Sequence, residues 1–160
     1  NPNAPMSSLT LADFTGRDIA YNASLYYEEK ISPDFKPGKV LSMHYNNGTL
    51  GKKTGKGFYD WSKGRPQPDL SKKAGLVNRQ VFAAISANEG CRILEEGVVK
   101  SWKVIDEAIL AGMNFPGPMQ YATTNYKELS KILEEFSEKL GKDYIKPCEL
   151  LKSGKFVEMQ

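Results

Sequence analysis

The apolar positions of this chain fall at helical spacing over most of its length. From Leu129 they recur at Ile132, Leu133, Phe136 and Leu140, with Glu134, Glu135, Glu138 and Lys139 between them, which is a one-sided helical stripe. Val77, Val81, Ala84, Ile85, Asn88, Cys91 and Leu94 form a longer stripe with one polar member, and Gly97 stands where that helix would stop. Ser101 is placed to N-cap a helix carrying Trp102, Ile105, Ala108 and Ile109, with Gly112 available to close it in the left-handed conformation. A short helix is expected from Ser8 to Gly16, and Asp18 as the cap of another running through Ile19, Ala23, Tyr26 and Tyr27. Period-two alternation is almost absent, so the expected fold class is all-α.

Residues 62–75, "SKGRPQPDLSKKAG", hold two prolines, two glycines and several charges but few apolar side chains, and read as a linker. The chain repeats itself across it. Pro5 matches Pro116, Asp34-Phe35 matches Asp143-Tyr144, and Pro37 to Leu41 matches Pro147 to Leu151, all about 110 positions apart. The expected division is residues 1–61 as a first repeat, 62–75 as linker and 76–160 as a second repeat. The second opens with two helices before its Pro116 loop, whereas the first starts almost at the equivalent proline. Roughly 40 residues of the first repeat would therefore lie before Asn1, and the chain reads as a piece of something longer.

Composition narrows the function classes. With 160 residues, 40% hydrophobic and 26% charged, the chain is an ordinary globular one that can bury a core without staples. Its 22 basic and 19 acidic residues give a net charge of +3, interleaved along the helices without a basic stripe or stacking aromatics, which argues against nucleic acid. Cys91 and Cys148 have no C-x-x-C spacing, sit in stretches read as helical and suit free thiols in a reducing cytoplasm; neither metal nor disulfide use is expected of them. Two glycosylation-type triplets, at Asn22 and Asn47, read as chance, because no signal peptide and no apolar span of membrane length accompanies them.

The stretch "GKKTGKGFYDW" at 51–61 raises the question of phosphate binding. It fails the phosphate-loop template: Gly51 and Gly55 are too close together, Gly57 stands where a hydroxyl should follow Lys56, and no strand precedes it. Two readings remain. The loop is a tight turn whose glycines allow positive φ and whose Phe58, Tyr59 and Trp61 return to pack on the helices, or Lys52, Lys53 and Lys56 also attract phosphates as point charges.

"APMSSLTLADFTGRDIAY" followed by "DFKPGKVLSMHYNNGTLGKKTGKGFYDW" resembles the C-terminal domain of the L-3-hydroxyacyl-CoA dehydrogenase family, and "GLVNRQVFAAISANEGCRILEEGVVKSWKVIDEAILAGMNFPGP" is similar to the opening of the same domain. The strings lie at the separations expected of members that carry the domain in tandem. Ser7-Ser8 departs from the family's Gly-Pro, "NFPGPM" is one residue short, and "LLKSGKFVEMQ" lacks the glycine–lysine string, so the second copy is degenerate and suits a structural role.

The resemblance implies an all-α bundle of two such repeats, like the C-terminal domain of 6-phosphogluconate dehydrogenase. It further implies a parent enzyme of β-oxidation that uses NAD, with an NAD-binding domain upstream that holds a His-Glu pair, and in some members a fused enoyl-CoA hydratase. This chain has no G-x-G-x-x-G after a strand, and its only histidine, His44, is not where the family keeps its base, so the chain itself is expected to bind no cofactor and to be inactive alone. What it would contribute is closure of the acyl-CoA site and a homodimer contact. By the resemblance, Pro5 and Met6 border the acyl chain and Asn78 matches an asparagine near the substrate carbonyl; the point-charge reading of Lys52, Lys53 and Lys56 has them help attract coenzyme A phosphates. The rival reading of Asn78 is an amide bonded to neighbouring helices. The rival for the whole chain is a stand-alone helical interaction protein that kept the fold and lost the enzyme.

Overall fold

A computed structural model describes residues 6–67, 75 and 77–160. The chain forms two compact units, 1–73 and 74–160. Among the described residues there are helices and 3-10 turns, and the only sheet-like pairings are isolated bridges of Gly51 with Lys56 and Lys56 with Asp60. The all-α expectation holds.

The first unit comprises α1 (Ser8–Thr15), α2 (Arg17–Lys30) and α3 (Lys39–Asn46), with 3-10 turns at Pro33–Phe35 and Lys52–Thr54. Ser7 caps α1, its Oγ accepting from Thr10 N at 3.2 Å. Gly16, at φ 105°, turns the chain directly from α1 into α2. Asp18 was expected to cap α2, but Gly16 holds that position without any side-chain cap. Asp18 lies inside the first turn, where its carboxylate suits the helix dipole and pairs with Lys53.

The second unit comprises α4 (Arg79–Glu95), α5 (Trp102–Met113), α6 (Met119–Leu140) and α7 (Glu149–Ser153), with 3-10 turns at Asp143–Ile145 and Lys155–Glu158. Ser101 caps α5 as expected, accepting from Lys103 N at 3.1 Å. Gly112 does not close it; it stays helical, and Asn114 takes the left-handed conformation at φ 53°, one of the few residue types that tolerates it. Helix α6 begins ten residues before the Leu129 stripe, and its Leu129, Leu133 and Phe136 are buried while Leu140 is exposed. Val77 precedes α4 and is exposed, and Cys148 is extended backbone just ahead of α7 rather than helical.

The core of this unit lies between α4 and α6. α4 presents small residues, Ala84, Ala87, Gly90 and Cys91, so the two helices approach closely: a Cβ at Gly90 would overlap the Met119 sulfur. The polar Asn88 in that stripe is buried and satisfied at both ends of its amide. Its Nδ2 donates to Lys146 O at 3.0 Å, and its Oδ1 accepts from Cys148 N at 2.8 Å, which holds the chain entering α7 against α4. Leu151 and Phe156 then fill the same core, and Trp102 N donates to Met159 O at 3.0 Å.

Candidate functional site

The glycine–lysine loop is built around a buried carboxylate. Asp13 Oδ1 accepts from Arg17 Nε at 2.9 Å, Arg17 Nη2 at 2.8 Å and Phe58 N at 2.9 Å; Oδ2 accepts from Tyr59 N at 2.9 Å and Trp61 Nε1 at 3.0 Å. Asp13 and Arg17 are both fully buried. Burial works against the charge on Asp13, but the bonds from Trp61, Phe58, Tyr59 and Arg17 outweigh it and hold the carboxyl below its ordinary range. Two loop glycines are required by this closeness. A Cβ on Gly51 would collide with the Asp13 backbone and one on Gly57 with the Asp13 carboxylate, while Gly51 and Gly55 also carry positive φ.

The Arg17 guanidinium carbon lies 3.4 Å from the centre of the Phe58 ring, and the His44 ring meets the same phenyl edge-on at 5.3 Å. Phe58 is itself half-open to solvent, so of the three aromatics expected to pack inward only Trp61 is buried. His44 Nδ1 lies 2.7 Å from Thr49 Oγ1. Burial, and then the charge of Arg17, push its pKa below the ordinary histidine value.

Beside this knot a cleft of about 340 Å³ is lined by Met6, Thr10, Phe14, Lys52, Trp61, Gly64 and Arg65. That lies at the small end of ligand-site volumes. Its walls are apolar through Met6, Phe14 and Trp61, and Lys52 and Arg65 supply positive charge. Lys52 Nζ sits 4.5 Å from the Phe14 ring centre.

The candidate residues are therefore distributed unevenly. Met6 and Lys52 line the cleft together. Lys53 turns to Asp18, and Lys56 stays exposed near Asp60, so the three lysines do not converge. Asn78 belongs to the second unit, is exposed, and spends its Oδ1 as the N-cap of α4, accepting from Val81 N at 2.9 Å, a role that neither sequence reading foresaw. Pro5 lies outside the described residues. Asp13 and Arg17, which organise the site, were missed. The available signal was an acid and a base four positions apart with a glycine turn between them, a spacing that ordinarily marks a solvated pair. Among the described residues no cluster of three or more potential metal ligands exists, and no helix is long and apolar enough to cross a membrane.

An all-α chain with a glycine-locked loop closed on a buried aspartate, beside a small apolar cleft, defines a helical module. Comparison with known proteins says what this module is similar to. Residues 1–61 match the family described as 3-hydroxyacyl-CoA dehydrogenase, C-terminal domain, the family that the glycine–lysine string suggested. The fatty acid oxidation complex subunit alpha of Vibrio campbellii is 30% identical over 162 residues, covering 91% of this chain and 23% of that protein. Its namesake from Shewanella baltica strain OS185 is 28% identical over 174 residues, covering 93% and 24%. The chain thus spans about a quarter of the curated relatives it matches. Among solved structures, 3-hydroxybutyryl-CoA dehydrogenase from Escherichia coli K12 has the same fold, with a TM-score of 0.73 at 18% identity over 98% of this chain and 52% of that one.

Proposed function

We propose that this chain is the C-terminal helical module of an NAD-dependent 3-hydroxyacyl-CoA dehydrogenase of cytoplasmic fatty acid β-oxidation, built from two repeats, closing the acyl-CoA site and mediating a homodimer. The observation that carries it is the match of residues 1–61 to the dehydrogenase C-terminal domain, together with the name shared by the relatives. The cleft supports a substrate-side role: Met6, Phe14 and Trp61 suit an apolar tail, the flexible thioether accommodating different lengths, and Lys52 suits an anionic end. NAD belongs to the parent's upstream domain in this reading, and hydride transfer is not this chain's work.

Unit 1's apolar surface supports the dimer reading. Leu9, Leu11, Phe14 and Ile19 are all about half exposed or more; exposed apolar side chains of this kind favour a partner, and a two-fold pairing is the commonest closed arrangement.

Purified chain titrated with acetoacetyl-CoA and palmitoyl-CoA should quench Trp61 fluorescence, more strongly with the longer chain, and Lys52→Glu should weaken both. NADH absorbance should not change with acetoacetyl-CoA. Light scattering behind size exclusion should report twice 17.8 kDa. Absence of any acyl-CoA response with a monomeric mass would overturn both the substrate-side and the dimer reading. A dimer without acyl-CoA binding would favour the interaction protein instead.

A further inference from the structure

The second unit brings its two cysteines together, although nothing in their spacing announces it. Asn88 fixes the backbone of Lys146 and Cys148 against α4 through both ends of its amide. Cys148 Sγ then lies 4.0 Å from the Asn88 backbone oxygen, on the turn of α4 that leads to Cys91. Asn88 and Cys91 are three positions apart and share the buried face of that helix. Both thiols are free; Cys91 is fully buried in the core, and Cys148 packs on that core while remaining partly open to solvent.

We infer that Cys91 and Cys148 are a redox-active pair, in which a hydroperoxide oxidises Cys148 and Cys91 resolves the product into a disulfide joining α4 to the segment that enters α7. The pair is electrostatically asymmetric in the direction this needs. The neighbouring Cys148 thiol, together with burial, raises Cys91, and the neighbouring Cys91 thiol lowers Cys148. Negative charge is thus favoured on the partly accessible sulfur, and the thiolate is the nucleophile. The Cys148 thiolate attacks the terminal peroxide oxygen, the O–O bond breaks, and the departing alkoxide takes a proton to leave as an alcohol, or as water from hydrogen peroxide. Cys148 is then a sulfenic acid. Cys91 attacks that sulfur, loses its proton and expels the hydroxyl as water. Two thiols and one hydroperoxide become one disulfide, one alcohol and one water.

Because the ends of the new bond are already held together, the disulfide forms within one chain and constrains the unfolded state of the second unit. The test treats the full chain with hydrogen peroxide in steps. Titratable thiols in denaturant should fall from two to none, intact mass should drop by two hydrogens, a proteolytic digest should contain Cys91 and Cys148 in one cross-linked fragment, and dithiothreitol should reverse all three. The denaturant midpoint reported by Trp102 should rise after oxidation. Cys91→Ser should instead accumulate a sulfenic acid on Cys148 that dimedone traps, and Cys148→Ser should leave Cys91 unmodified. Two thiols surviving peroxide, oxygen added to both sulfurs without a cross-link, or disulfides only between chains would each overturn the inference. These readouts come from the wild-type chain, so misfolding of either variant does not rescue it.

Discussion

Set at the register that places Pro37–Leu41 on Pro147–Leu151, the two units solve the same packing problem by different means. Leu9, Ile19 and Tyr26 of the first stand opposite Met119, Leu129 and Phe136 of the second. The first three are 47%, 60% and 59% exposed, and their counterparts 0%, 1% and 8%. The second unit has α4 and α5 to lay against that stripe, and the first has no described counterpart of either. What the first unit buries instead is polar: Thr10, Asp13 and Arg17, with Trp61 over them. The second buries Ala84, Ala87, Cys91, Leu94, Leu129, Leu133, Leu151 and Phe156 in one apolar cluster. A non-directional core tolerates change as long as volume is kept. A knot of five hydrogen bonds on one carboxylate is directional and fails as a unit.

The largest expected effect is therefore at Asp13. Asp13→Ala strands the Arg17 charge and leaves Phe58 N, Tyr59 N and Trp61 Nε1 without acceptors, and breaking a buried pair in this way costs about 3–5 kcal/mol. Each unit has one tryptophan, so a Trp102→Phe background lets Trp61 report the first unit alone; Trp102 Nε1 has no hydrogen-bond partner to lose. Thr123, which faces Asp13 in the register, should be replaceable by Ala with little change. If the Trp61 transition is unmoved by Asp13→Ala, the polar knot does not hold this unit and the comparison collapses.

Next in size is Leu133→Ala, which opens a cavity in the apolar cluster at a cost of about 2–5 kcal/mol. It should shift the Trp102 transition. A loss below 1 kcal/mol would mean that the second unit collapses around the gap and is less tightly packed than its buried residues suggest.

The two devices were unequally legible in the sequence. Periodicity carried the helices, because an apolar stripe at a spacing of 3.6 residues is what a buried helical face requires, and the glycine at position 16 marked the break between α1 and α2. Ends were harder. Gly112 and Asn114 can each take the left-handed conformation that closes a helix, and α5 ends at the asparagine. The polar knot was not legible at all, since Asp13 and Arg17 look like a surface pair until a loop 45 residues downstream wraps its amides around the acid. Asn88 was visible as an anomaly in its stripe, but its partners, Lys146 and Cys148, are distant in sequence. Met6 and Lys52 came from resemblance, and their shared cleft depends on α1 and the loop meeting.

Acid should separate the units. Asp13 titrates below its ordinary 3.8 in the folded chain, so its contribution is complete above that pH and is lost as pH falls through the lower folded value. His44, also depressed from 6.5, acts earlier: it is neutral in both states above 6.5, and below that the unfolded chain takes up the proton first, so stability begins to fall there. Among its described residues the second unit buries no carboxylate. Trp61 midpoints should decline in two steps, below 6.5 and again below 3.8, with His44→Gln removing the first. Trp102 midpoints declining in parallel from 6.5 would show that the contrast is not electrostatic.

The smallest effects separate the aromatic edge of the knot from its lysines. Phe58 is 38% exposed, so truncating it forfeits less than a buried ring would; what it loses is the face on which the buried Arg17 guanidinium rests, worth about 2 kcal/mol when the cation is desolvated. Lys52, Lys53 and Lys56 are exposed, and the pair of Lys53 with Asp18 is open to solvent, so replacing all three by alanine should leave the midpoint where it was. Salt sharpens the distinction: raising ionic strength screens the lysines but barely reaches a guanidinium sealed between Asp13 and Phe58. Phe58→Ala should thus lower the Trp61 midpoint equally in low and high salt, and the triple variant should lower it in neither. Equal losses in the two variants would mean that the loop is held by surface charge, and the first unit would have no interior of its own to compare with the second.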